Sequence, residues 1–130
     1  MVQLQWQGDL RFSVAAGDGP DFNLDSESAT GPSPMDALLA ALGGCMGIDV
    51  VDILIKMRQP LKGLRLELSG ERNSDPPKYF TSVNIMFYIR GEIEPDKADR
   101  AVALSFEKYC SVLHTLRFDL EVSHRIELSP

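Results

Sequence analysis

Cysteine is scarce in this chain, with two in 130 residues, too few for the disulfide framework of a small secreted domain. In a reducing compartment such a pair is reactive, redox-active or simply buried. Metal-ligand spacings, a P-loop and a dinucleotide fingerprint are all missing, so no cofactor and no metal are expected from the sequence. Basic residues cluster nowhere and the net charge is −6, which argues against a nucleic-acid partner. The opening MVQLQWQGDLRF lacks the basic-then-apolar order of a secretory signal, so a cytoplasmic location is expected. The charge-free run between Asp36 and Asp49 falls far short of the ~20 residues of a membrane span, so no membrane association is expected either.

What is present is an ordinary globular composition, 44% apolar and 25% charged, at a length that suits a single domain over 1–130. The chain is organised around Ser33 to Arg58, SPMDALLAALGGCMGIDVVDILIKMR. Ser33, Pro34 and Asp36 form a helix start: a capping hydroxyl, a proline at the first helical position and the acid of a capping box. Lys56 and Arg58 suit the negative end of the helix dipole, and Pro60 marks the stop. At 100° per residue Cys45, Asp49, Asp52 and Lys56 share one side, while Ala40, Gly43, Gly44 and Gly47 share the other. The glycines cost about 1 kcal/mol each relative to alanine, which suggests a shallow groove for close approach of another backbone.

Around this helix the period is two. Val2, Leu4 and Trp6, then Phe12 and Val14, then Phe22 and Leu24 read as short strands separated by turns. A hairpin follows, with Leu64, Leu66 and Leu68 on one arm and Val83, Ile85, Phe87 and Ile89 on the other. A second helix is expected from Pro95, with Ala98, Ala101, Val102, Ser105 and Tyr109 on one face and Cys110 at its last turn. A final strand runs from about Arg117 to Leu128, with His124 in phase with its apolar residues. The fold class is α+β: an antiparallel sheet with a long central helix and a second, shorter one. One sheet covers only one side of so apolar a helix, and a two-fold homodimer is the expected cover for the rest.

GPSPMDALLAALGGCMGIDVVDIL and the later FEKYCSVLHTL together resemble the OsmC/Ohr family of osmotically inducible and organic-hydroperoxide-resistance proteins. The resemblance covers nearly the whole chain. It implies an intertwined homodimer with the long helices at its centre. It also implies a thiol peroxidase in which one cysteine attacks the O–O bond of an organic hydroperoxide and a second resolves the sulfenic acid as a disulfide. Cys45 and Cys110 occupy those positions, and an external thiol reductant would close the cycle. The family's peroxidases also use an arginine beside the thiolate and a glutamate that holds it; Arg11 and Asp36 are the candidates for those roles. Met35 stands where that glutamate would be, and Ser111 replaces the proline that usually follows the second cysteine. Met35, Leu42, Asp49, Tyr109 and His114 are the candidate pocket residues.

Each of these residues also has a plainer reading. Cys45 and Cys110 suit small buried apolar positions, Asp36 suffices as a helix cap, and a strand arginine such as Arg11 ordinarily faces solvent. Asp52 can pair with Lys56 at i,i+4, and Trp6 and Tyr109 read as core. The alternative function is therefore a non-catalytic dimer that binds a small apolar ligand at its interface.

Overall fold

The early alternation folds as three antiparallel strands, β1 (Val2–Trp6), β2 (Arg11–Ala16) and β3 (Phe22–Asp25), in that spatial order. The register pairs Trp6 with Phe12 and Leu4 with Val14, then Phe12 with Leu24 and Val14 with Phe22. One face is therefore apolar, yet Leu4, Trp6, Phe12 and Phe22 all stand exposed and only Val14 is buried. Trp6 is 64% exposed, not core as its place in the alternation suggests. The structure, a computed structural model, describes residues 1–130 and divides into two compact units, Met1–Ala40 and Ala41–Pro130.

The loop after β3 is organised by a buried carboxylate. Asp25 accepts hydrogen bonds from the Glu27 N–H, the Thr30 N–H and the Thr30 hydroxyl, at 2.9, 3.1 and 2.9 Å. The Glu27 N–H contributes most to holding this carboxyl below its ordinary pKa, with Thr30 and the charge of Arg11 adding to it. Helix α1 (Pro34–Lys56) starts where its cap predicts, the Ser33 hydroxyl accepting from the Asp36 N–H at 3.2 Å.

In the second unit α1 buries Leu42, Gly43, Met46, Val50 and Leu54, a stripe at helical spacing. The glycines do not share one face. A Cβ on Gly43 would meet the tip of Leu68 at 2.6 Å and one on Gly47 the tip of Leu66 at 3.5 Å, whereas Gly44 faces open space. The groove thus admits leucine side chains of the chain's own sheet. With Gly44, Ile48 (72% exposed) and Ile55 (60% exposed) form the outer stripe of the helix.

β4 (Gly63–Arg72), β5 (Phe80–Arg90) and β6 (Glu121–Ser129) form the second sheet in that order. Central β5 buries Val83, Ile85, Phe87 and Ile89 on one face; on the other, Arg65 lies over the Tyr88 ring and the Tyr88 hydroxyl donates to Glu67. β4 pairs antiparallel with β5 but β6 pairs parallel to it, so the expectation of one antiparallel sheet is corrected twice. There are two sheets, and the second is mixed. The crossover that makes β6 parallel contains α2 (Pro95–Leu104), a π-helical turn (Ser105–Tyr109) and α3 (Ser111–Thr115), the length such a connection requires.

Candidate active site

Two helical segments bring the site together. From α1 come Cys45 and Asp49, one turn apart. From the crossover come Ser105 and Cys110, placed by the π turn. The Cys110 N–H donates to the Ser105 carbonyl at 2.9 Å, an i→i−5 bond that widens the helix by one residue. Cys110 is therefore not on the last turn of the second helix, as its spacing suggests. It is the extended residue that caps α3, its Sγ accepting from the Leu113 N–H at 3.4 Å.

The Cys45 Sγ, an Asp49 carboxylate oxygen and the Cys110 Sγ all lie within 4.8 Å of one another. Both cysteines are free, Cys45 half-buried and Cys110 fully buried. Burial pushes the Cys110 thiol up to about 11, its sulfur neighbour and the charge of Asp49 acting in the same direction against the Leu113 N–H. Asp49 is held in place by the buried Ser105 hydroxyl, which donates to its Oδ2 at 2.9 Å. Ser105 therefore joins the cluster through Asp49, a contact that its place on an apolar helix face does not announce. Its signal was a polar residue in an otherwise apolar helical stripe.

Beside Asp49 opens a cleft of about 290 Å³ lined by Asp52, Ile53, Lys56, Met57, Leu104 and Tyr109. Tyr109 is 47% exposed at its edge, so its reading as core is corrected. Lys56 is committed to Asp52 at 2.8 Å, and that bond raises its pKa. Leu42 is buried on the inner stripe of α1. His114 lies on α3, its Nε2–H donating to the Phe106 carbonyl at 3.1 Å, and is turned to that backbone. His124 is exposed, its ring tilted against Phe106 at 4.7 Å.

Arg11, Met35 and Asp36 belong to the first unit. The Arg11 guanidinium donates to the Gln7 carbonyl at 3.3 Å and lies 3.9 Å from the Asp9 carboxylate. Met35 is half-buried and Asp36 exposed in the first turn of α1.

The family model for OsmC-like protein matches residues 26–125, a span that includes both cysteines, Asp49 and Ser105. The chain belongs to the OsmC family. Protein YhfA of Escherichia coli (strain K12) is 38% identical over 129 residues, covering 98% of this chain and 96% of its own. A hypothetical protein from Aquifex aeolicus VF5 superposes with a TM-score of 0.87 at 32% identity, over 98% of this chain and 96% of that one. The organic hydroperoxide resistance protein OhrB of Bacillus subtilis superposes with a TM-score of 0.64 at 15% identity, over 98% of each chain. At that identity it shows the shared fold alone. By length and composition α1 is comparable to a membrane-spanning helix, but in this OsmC-family chain it carries a buried stripe and packs on β4.

Proposed function

We propose that this OsmC-family protein is a cytoplasmic, homodimeric thiol peroxidase acting on organic hydroperoxides. The observation that carries the reading is the proximity of two free sulfurs, one half-buried and one sealed, within 4.8 Å of each other. Cys45, the more accessible, attacks the terminal peroxide oxygen as a thiolate; the O–O bond breaks, the alkoxide takes a proton and leaves as the alcohol, and Cys45 becomes a sulfenic acid. The Cys110 sulfur, as its proton departs, attacks the sulfenic sulfur and expels water, forming the Cys45–Cys110 disulfide. An external dithiol, itself oxidised, returns both cysteines to thiols. The apolar cleft residues Ile53, Met57 and Leu104 suit an alkyl or fatty-acid chain better than hydrogen peroxide.

Arg11, the only basic side chain among residues 1–40, is the candidate activator of the Cys45 thiol, with Asp36 as its candidate acidic partner. The test is consumption of cumene hydroperoxide under a dithiol reductant, with a chelator present. Cys45→Ser is expected to abolish turnover. Cys110→Ser is expected to keep a single stoichiometric reduction, and Arg11→Ala to slow the reaction by tenfold or more. Equal rates for wild type and Cys45→Ser would remove the proposal.

A second reading, a non-catalytic dimer binding a small apolar ligand, is favoured by the acidity around the sulfurs. An Asp49 oxygen lies within 4.8 Å of both sulfurs, and Lys56 in the adjoining cleft is already bound by Asp52. Native mass spectrometry of freshly purified dimer separates the readings: a retained apolar ligand with no peroxide turnover supports this one.

A further inference from the structure

The cluster that suits peroxide chemistry also has the composition of a metal site. Cys45 and Asp49 stand one helical turn apart on α1, and Cys110 approaches from the crossover, so that two sulfurs and a carboxylate oxygen converge within 4.8 Å. No spacing in the sequence announces this set, because its third member lies 65 positions from the first. We propose that Cys45, Asp49 and Cys110 bind one thiophilic divalent cation, zinc foremost, with a fourth position left open.

Three features support the assignment besides the ligand atoms. A tetrahedral zinc ion needs sulfurs at ~2.3 Å and a carboxylate oxygen at ~2.0–2.2 Å. Ligand atoms on such an ion lie roughly 3.5–4 Å apart, so small side-chain rotations close the present cluster onto it. The outer contacts are also of the right kind: Ser105 donates to Asp49 and the Leu113 N–H to the Cys110 sulfur, orienting two of the three ligands. Finally, the cleft lined by Asp52, Lys56 and Tyr109 reaches Asp49 and supplies an entry path. Two thiolates select against magnesium and calcium, which prefer oxygen ligands. On binding, each thiol gives up its proton and no oxidation state changes. The ion and the Cys45–Cys110 disulfide require the same sulfurs, so each state excludes the other.

The inference concerns the same thiol pair as the peroxidase reading but does not rest on it. Its test uses the full-length protein, reduced, stripped of metal with a chelator that is then removed, and titrated anaerobically with cadmium chloride. The sulfur-to-cadmium charge-transfer absorption is the primary readout, and zinc competition gives the zinc affinity. The expected result is one ion per chain and no displacement by excess magnesium. Cys45→Ser and Cys110→Ser are each expected to lose at least half of the absorption. Asp49→Asn, which keeps a partner for Ser105, is expected to weaken binding by tenfold or more, and Ser105→Ala by roughly tenfold. Circular dichroism confirms that each variant is folded; should Cys110→Ser not fold, Asp49→Asn decides the matter. No charge-transfer band at equimolar cadmium, or an affinity unchanged in folded Asp49→Asn, overturns the proposal. Ion binding without peroxide turnover leaves it standing, and turnover without ion binding removes it alone.

Discussion

At Asp25 a single carboxylate organises the loop that leads into α1, and its energetics have a defined sign. Its folded pKa lies below the ordinary value of 3.8 because the Glu27 N–H, and then Thr30, hydrogen-bond its charged form. Its contribution is therefore present above that value and is lost as pH falls through the folded pKa. Urea unfolding is expected to show Asp25→Ala less stable than wild type at pH 7, with the gap narrowing below pH 4; a constant gap would refute this. The two cysteines differ for a residue-scale reason as well. Iodoacetamide is expected to alkylate Cys45 in the native protein and Cys110 only after unfolding, since Cys110 is sealed and its thiol stays protonated well above neutral pH. Peptide mass mapping over time reads the order, and simultaneous labelling would contradict it. Both cysteines were legible in the sequence because a scarce residue draws notice. Ser105 was not, because its partner Asp49 is distant in sequence.

Among elements, the strands and α1 were legible because their periods of two and 3.6 are local properties of the chain. The expected helix, begun at Pro34 behind the Ser33 cap and carried toward Arg58, matches the observed Pro34–Lys56 at its start and differs only at its far end. The π turn was not legible: it adds a residue to a helix without a sequence mark, and that residue moves Cys110 from a helix face to a cap. The direction of β6 was hidden for a similar reason, since alternation is the same read either way along a neighbour. Glycines divide by what surrounds them. Gly91 has a φ of +136° and a Cβ there would strike the Pro60 carbonyl, so Gly91→Ala is expected to cost about 2–4 kcal/mol. Gly43→Ala meets only the rotatable tip of Leu68. Roughly 1 kcal/mol of gained helix propensity offsets that repacking, leaving a change within about 1 kcal/mol. Thermal melts of the two variants check the contrast, and an equal loss in both would refute it.

For the whole molecule the governing fact is apolar surface left in water. Leu4, Trp6, Phe12 and Phe22 line an open face of the first sheet, and Ile48 and Ile55 the outer stripe of α1. Exposed patches of this kind mark association sites, which supports the proposed homodimer. Light scattering at micromolar concentration is expected to give twice the 14.4 kDa chain mass. Ile48→Glu is expected to weaken association at least tenfold by placing a charge in the contact. Trp6 is the only tryptophan, so its emission is expected to shift to the red when dilution separates the protomers. A chain that stays monomeric throughout would remove the dimer.

The sequence by itself determined the strands, the capped central helix, the family and the two sulfurs worth following, because these depend on neighbours along the chain. Tertiary structure decided that Gly43 packs against Leu68 while Gly44 is left in open space, and that β6 runs parallel to β5. It also decided that Asp49, held by Ser105, joins both thiols in one cluster. Those outcomes rest on contacts between segments far apart in sequence, where side-chain volume, hydrogen-bond geometry and the extra residue of a π turn act together.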